Sequence, residues 1–403
     1  MVPLRGAAKA VEFLATDQGG TMTAFEFELP TYYAPDFTDP KFVDAPNAQL
    51  ATVEMDGVAP ENFHSTSMYP EYFKIDGAWH LARESRMDAS VVVTRGEDGS
   101  VRLSVVANRA LKKGQTIVLG RSEDGGEGIL VHTHGFEEPK GASDAGGGEF
   151  VFRQGRSRET SFARDYDKLI ALLKHEREHG FVLWVMGPAF AFDYDARRFM
   201  QAMIAAGYVD GVLAGNALAT HDLEAAHLHT ALGQDIYTQR SMPSGHHNHL
   251  DVINRVRRCG SISAFIDEYH IDNGIMYQLE KSHIPYVLTS SIRDDGPLPE
   301  VIGNAYDGQD AMRGLVSKST TIICLATMLH TIATGNLTPS FRVMEDGTVR
   351  PLYLYAIDAA EFVVNKLHDR GSLTATTIVT NVQDFITILA KGLEVVPENT
   401  PWG

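Results

Sequence analysis

The chain has 403 residues, 44% of them hydrophobic and 22% charged, with 35 Lys+Arg against 52 Asp+Glu. That length allows two or three domains at roughly 150 residues each, and the composition is globular rather than disordered or fibrous. A formal charge of −17 excludes wrapping of a nucleic-acid backbone, whose phosphates would be repelled before contact.

Two cysteines, Cys259 and Cys324, can build neither a disulfide framework nor a multi-thiolate metal site, and they fit a reducing compartment. No apolar signal core follows Met1, and the most apolar stretches, 181–192 and 320–331, fall short of the roughly 20 residues that cross a bilayer. The expectation is a cytoplasmic protein with no membrane or nucleic-acid partner, acting on a small molecule and assembling as a homo-oligomer.

In chain order, residues 1–150 carry a β texture. Residues 23–29 alternate, with Phe25, Phe27 and Leu29 on one face, and 90–94, 101–106 and 116–119 are short runs rich in Val, Ile and Thr. Turn residues such as Gly96-Glu97-Asp98-Gly99 separate them, so a mostly β, α+β domain is expected. Residues 137–149 are dominated by Gly and small polar side chains, which bury too little apolar surface to hold a fixed conformation. The domain boundary is placed there, giving domains 1–150 and 151–403.

Downstream the pattern changes. Residues 181–186 (FVLWVM) form a continuous apolar run, as a parallel strand buried on both faces requires. A helical stretch over 195–206 follows, then further runs at 210–214, 285–289, 321–325 and 352–357. Each gives way to small or polar residues and a helical period. This βα alternation predicts a doubly wound α/β, Rossmann-like parallel sheet, whose ligands sit at the carboxyl ends of the strands. The usual GxGxxG fingerprint is absent.

The strand ends therefore hold the candidate site residues. Gly187 follows the first run and allows close backbone approach. Asn216, Ala217, Thr220, His221 and Asp222 follow the second; Asn216 could bind a ribose or amide, and His221 with Asp222 could move protons, unless Thr220 or Asp222 caps the next helix. After the run at 285–289 come Arg293, Asp294, Asp295 and Gly296. The carboxylates could hold or deprotonate an ammonium group, or cap a helix, and Arg293 could hold a carboxylate.

Thr327, Met328, Leu329 and His330 offer an apolar wall with few polar groups, suited to a nicotinamide or adenine ring or to a buried helix start. Asp358 ends the last run, as a ribose-binding acid or a cap. His246, His247 and His249 form a polar or substrate-contact loop; without an obvious carboxylate ligand, no metal is assigned to them.

These motifs together resemble one family nearly end to end, the ornithine cyclodeaminases of archaeal and cyanobacterial type, related to the conserved region of lysine-ketoglutarate reductase/saccharopine dehydrogenase. The segments that carry the likeness are 58–66, 209–224 (VDGVLAGNALATHDLE), 291–301 (SIRDDGPLPEV), 326–336 (ATMLHTIATGN) and 366–372 (KLHDRGS) leading to 378–382.

The resemblance implies a deoxyhypusine-synthase-like modified Rossmann domain holding NAD, and conversion of L-ornithine to L-proline plus ammonia. Hydride leaves the α-carbon and returns to a cyclic imine, so the cofactor is regenerated in each turnover. It implies dinucleotide contacts at Gly187, Asn216, Ala217, Thr327, Met328, Leu329, His330 and Asp358, with Thr380 and Asn381 beside them. Asp294 or Asp295 would be the base, His221 a second proton carrier, and Arg293 the carboxylate anchor. Ser65 and Thr66 would close the site from the first domain.

The sequence departs from the family pattern at His64 and Met68, across 190–194 (Phe190, Phe192 and Tyr194 replacing small residues) and at Gln278. An NAD-dependent amino-acid or opine-type dehydrogenase is the alternative activity.

Overall fold

The computed structural model describes residues 27–136, 163–289, 296–360 and 374–397. Two separate cores form along the chain. In the first, β1 (Gln49–Thr52), β4 (Ala89–Arg95), β5 (Val101–Ala107) and β6 (Thr116–Leu119) make an antiparallel sheet in the order β1-β6-β4-β5; β2 (Glu71–Ile75), β3 (Ala78–Leu81) and β7 (Ile129–Val131) make a second in the order β3-β2-β7. Alternation turns Val91, Val93 and Val118 of the larger sheet toward Phe73, Ile75 and Ile129 of the smaller, and these six are buried together. One short helical turn, α1 (Pro40–Val43), is capped by Asp39, which accepts the amide of Lys41 at 3.0 Å.

The expected strand at 23–29 does not continue into the described part. Residues 27–29 are irregular, because Phe27 turns its ring onto His175 and Tyr353 of the second core at 5.1 and 5.7 Å instead of joining a ladder. Residues 23–26 and the boundary expected at 137–149 lie outside the described residues.

The second core is a six-stranded parallel sheet of β8 (Val182–Met186), β9 (Gly211–Gly215), β12 (Tyr286–Thr289), β13 (Thr321–Leu325), β16 (Tyr353–Asp358) and β17 (Thr374–Val379), in the order β12-β9-β8-β13-β16-β17. The continuous apolar runs have a direct cause. Val182, Trp184 and Met186 face one layer of helices while Leu183 and Val185 face the other, and all five are fully buried. At about 1.5–3 kcal/mol per fully buried large apolar side chain, this strand alone is a major anchor.

One layer holds α2 (Ala163–His179), α3 (Tyr194–Ala205), α4 (Asn216–Leu228) and α10 (Val382–Gly392); the other holds α8 (Ala305–Val316) and α9 (Met328–Leu337). The segment between α4 and β12 contains the hairpin β10 (Thr230–Ala231) and β11 (Gln234–Asp235), then α5 (Asn248–Cys259), α6 (Ile262–Glu268) and α7 (Ile275–Lys281). It wraps α4, which is consequently buried nearly all round. A hairpin of β14 (Phe341–Val343) and β15 (Val349–Pro351) precedes β16.

The two cores meet along α8 and this hairpin. Arg109 donates to Asp310 at 2.7 Å and lies over the Tyr306 ring, and Ser85 Oγ meets Ser340 Oγ at 3.1 Å. No helix among the described residues is long and apolar enough to cross a membrane.

A switch-point crevice with a buried His–Glu pair

Numbered from β8, the sheet order is 3-2-1-4-5-6. The chain leaves β8 toward β9 and β12, then returns to the other side of β8 at β13. Neighbouring crossovers therefore part between β8 and β13, which opens a crevice at their carboxyl ends where dinucleotides bind in such sheets.

Gly187 stands at that point. Its amide donates to the Leu325 carbonyl at 2.9 Å, and a Cβ on it would lie 2.0 Å from the Ala326 carbonyl oxygen. Only glycine lets the two strand ends approach so closely. Opposite, Ala326 takes φ +48°, a left-handed turn that starts α9 immediately after β13 and is strained for a residue with a side chain.

Two helices begin directly at strand ends here. Gly215 precedes α4 and Thr327 precedes α9, and neither helix has a side-chain cap. Their first amides are left to other acceptors, and with the helix dipole they favour an anion such as a pyrophosphate. His330, in the first turn of α9, ties the crevice together. Its Nε2 meets Thr289 Oγ1 at 2.8 Å and its Nδ1 meets Thr327 Oγ1 at 3.3 Å. A Cβ on Gly215 would lie 3.0 Å from the same ring. Met328 and Leu329 are 43% and 69% exposed, an apolar lip beside these amides. Asp358 ends β16 and accepts the Ala360 amide at 2.8 Å; Thr380 donates its amide to the Asp358 carbonyl, and Asn381 caps α10. The switch-point order, glycine contact and uncapped amides fit a dinucleotide.

One and a half turns into α4, His221 Nδ1 meets Glu224 Oε2 at 2.9 Å. Glu224 is fully buried and also accepts from Thr230 Oγ1 at 2.8 Å and from the Leu232 and Gly233 amides at 3.1 Å each. A carboxylate held by four donors fixes the imidazole's orientation and makes Nδ1 the protonated nitrogen, leaving Nε2 to accept a proton. Phe192, from the turn after β8, lies 5.4 Å from the His221 ring, and His249 lies 5.9 Å away. His249 Nδ1 is buried without a hydrogen-bond partner among the described residues. Burial, then the neighbouring His221, pull His249 below its ordinary value and favour its neutral form.

Several expected site residues do other work. Asp222 forms a buried ion pair with Arg197 at 2.6 Å and accepts the Ile275 and Met276 amides at 3.1 and 2.8 Å, so it caps α7 rather than moving protons. Asn216 Oδ1 accepts the Leu298 amide at 3.0 Å and the Thr220 hydroxyl at 3.2 Å. It pins the loop that follows the Arg-Asp-Asp motif, and only its amide nitrogen remains for a ligand. Thr66 is buried, and its hydroxyl is shared among Arg86 O, Ala89 O and Ala89 N.

Ser65 and Thr66 are not brought to the crevice. The neighbouring Met68 carbonyl accepts from Ser85 Oγ, which meets Ser340 at the amino-terminal edge of the sheet. Among the departures from the family pattern, His64 is buried on Glu71 at 2.9 Å, Phe190 is wholly in the core and Gln278 donates to Ser282; Phe192 alone touches the His221 pair. Arg293, Asp294 and Asp295 lie outside the described residues. Among the described residues no group of three or more His, Cys, Asp or Glu is placed to hold a metal ion.

Glu224, Thr289 and Ala326 are the site residues that sequence reasoning missed, whereas His249 was singled out there as part of a polar or substrate-contact loop. Glu224 carried a signal, being three residues beyond His221 and hence on the same helix face; the Ala326 conformation carried none.

Fold and crevice define a Rossmann-fold enzyme of the dinucleotide-using class. Residues 168–389 match the family model described as arginine dihydrolase ArgZ-like, C-terminal, Rossmann fold. An ornithine cyclodeaminase of Methanocaldococcus jannaschii is 36% identical over 353 residues, 86% of this chain and 78% of that protein. The chain belongs to this ornithine cyclodeaminase family.

The crystal structure of a conserved LOR/SDH protein from Methanococcus maripaludis superposes with a TM-score of 0.76 at 34% identity, over 87% of this chain and 98% of that one. The ternary complex of AgrE with ornithine and NAD+ gives 0.53 at 30% identity, over 87% of this chain and 46% of that one. AgrE of Nostoc is a bifunctional arginine dihydrolase/ornithine cyclodeaminase, and this chain spans about half its length.

Proposed function

We propose that this enzyme converts L-ornithine to L-proline and ammonia with NAD as a resident, regenerated cofactor. The observation that carries the reading is the meeting of a switch-point crevice with the buried His221–Glu224 pair, in a chain 36% identical to an ornithine cyclodeaminase. Gly187, the Asn216 amide nitrogen, Ala217 and the Thr327–His330 turn hold the dinucleotide, with Asp358 toward a ribose and Thr380 and Asn381 at the margin. When bound, NAD supplies the acceptor and later the donor of one hydride.

The side chains do the remaining work. Arg293 anchors the α-carboxylate. Asp294 or Asp295 takes a proton from a substrate amine, and His221 Nε2, its ring oriented by Glu224, carries a second. Proton loss frees the δ-amine to attack the α-carbon once hydride has left it, and return of one of those protons to the departing α-nitrogen releases it as ammonia. Phe192 excludes water beside the pair. Leu232, Tyr237, Met242 and Leu250, all strongly exposed, support self-association, and the two unpaired cysteines support a reducing, cytoplasmic setting.

The test is mass spectrometry of protein incubated with L-ornithine and NAD+, with absorbance followed at the NADH band. Proline and ammonia in equal amounts without net NADH are expected. Net NADH without proline would make the enzyme a dehydrogenase, and no product would shift the substrate to another diamino or guanidino acid.

A further inference from the structure

At the amino-terminal edge of the parallel sheet, opposite the crevice, the two cores enclose a cavity of about 240 Å³. Arg83 and Arg86 reach it from the first core, Arg313 from α8 and Arg342 from β14. A larger basin of about 1010 Å³ lies beside it and shares Arg83, Arg342 and Val343 in its lining. Four guanidinium groups face one lining carboxylate, Glu84, in a chain whose formal charge is −17.

Arg342 is satisfied by the Lys318 carbonyl. Arg86 NH1 and Arg313 Nε and NH2, in contrast, are buried with no hydrogen-bond partner among the described residues. The nearby acids do not supply one: Asp310 is engaged by Arg109 at 2.7 Å, and Asp88 is exposed. Burial, then the adjacent Arg313 and Arg109, push Arg86 down to about 10, and burial lowers Arg313 as well. Both remain charged at neutral pH, so three cationic donors stand desolvated and unused. Buried donors in native proteins are nearly always paired, and each orphan calls for a partner.

We propose that this interdomain cavity is a binding site for a compact oxyanion, the phosphate or carboxylate end of a ligand carrying at least two negative charges. The guanidinium fork matches the paired oxygens of either group. The basin beside it leaves room for the rest of such a molecule. A diamino acid does not fit, since its ammonium groups would face four arginines. The ligand bridges Arg86 of the first core and Arg313 of α8, and therefore clamps the junction between them.

The probes are inorganic phosphate, pyrophosphate and citrate, titrated calorimetrically at fixed ionic strength into protein saturated with NAD+, so that the crevice is occupied. One-to-one saturable binding is expected from at least one probe, with phosphates and citrate separating the two anion chemistries. Arg313→Met should weaken it at least tenfold, leave the NAD+ affinity within twofold, and leave or raise the thermal midpoint of the anion-free protein, because an uncompensated cation has been removed. Arg86→Met, on the other core, repeats the test should the first variant not fold. Absence of saturable binding by every probe, or binding unchanged in these variants, overturns the proposal. So does a lowered anion-free midpoint with unchanged affinity, which would make the arginines structural.

Discussion

Gly187 shows how far one missing methyl group can set a site. Its Cβ would lie 2.0 Å from the Ala326 oxygen and 2.8 Å from the Ala326 carbon, both backbone atoms that cannot rotate away. Gly187→Ala must therefore separate β8 from β13 at the point where the crevice opens. Expected are a loss of about 1–3 kcal/mol in urea unfolding, typical of overpacking, and at least a tenfold weaker NAD+ affinity by calorimetry. Unchanged NAD+ affinity would remove this contact from the cofactor site.

Asp222 is the opposite case, a polar residue beside the candidate site whose role is internal. It is fully buried against Arg197, which is 2% exposed. Asp222→Ala strands that guanidinium and should cost roughly 3–5 kcal/mol. Sequence reading could not separate the two neighbours at 221 and 222. Both are polar and follow a strand end, and only the tertiary partners divide them, Glu224 for one and Arg197 for the other.

At the scale of elements, α4 concentrates the site's logic. It starts without a cap at the crevice, pins the 296–299 loop through Asn216, presents His221, and locks its own far side through Asp222 and Glu224. Such a helix can be charged yet buried only because the 229–284 segment covers it and satisfies its carboxylates. Glu224→Gln keeps the volume but replaces the carboxylate that orients the His221 ring. Turnover should fall by an order of magnitude or more, as for loss of an oriented proton carrier, while KM and NAD+ affinity stay within about twofold. A loss of NAD+ affinity that matches the loss of turnover would make Glu224 merely structural.

The same helix marks the limit of what was legible. Five strands of the parallel sheet stand in the sequence as apolar runs; in β8, β9, β13 and β16 this follows from burial on both faces, while β12 is an edge strand whose Tyr-Val-Leu run is only partly buried. The sixth, Thr374–Val379, was missed; it is a half-buried edge strand in which three of six residues are Thr, with no continuous apolar run to find. In the first core 90–94, 101–106 and 116–119 fall within strands. The strand ends were therefore readable, and with them Gly187 and His330, whereas contacts made across the fold, such as those of Thr66 and Asn216, were not.

For the whole molecule, buried imidazoles set the pH response near neutrality, and those whose values are lowered lie in the second core. His175, His227, His229 and His249 all belong to the second, and burial holds each below its ordinary value of 6.5. Neighbouring cations add to this at His227 and His229, Arg255 and Arg197 respectively. Between its folded and unfolded values such an imidazole binds more protons in the unfolded chain, so stability rises with pH and is lost as pH falls below about 6.5.

In the first core the lowered acids are exposed carboxylates, among them Asp36, Asp76 and Asp98, held down chiefly by hydrogen bonds from Thr38, Arg95 and Ser100. Their contribution is present above the ordinary Asp value of 3.8 and disappears only below it. Lowering the pH from 7.5 to 5.5 should therefore weaken the second core while leaving the first nearly untouched. Trp184 lies at the centre of the parallel sheet and Trp79 in the first core, so urea unfolding followed by fluorescence can separate them. In Trp79→Phe/Trp402→Phe protein, which keeps Trp184 as its one tryptophan, the Trp184 transition should move to lower urea across that range, and His227→Gln should make the movement smaller. A Trp184 transition that stays fixed or moves to higher urea on acidification would show that the buried imidazoles do not govern the stability of this core.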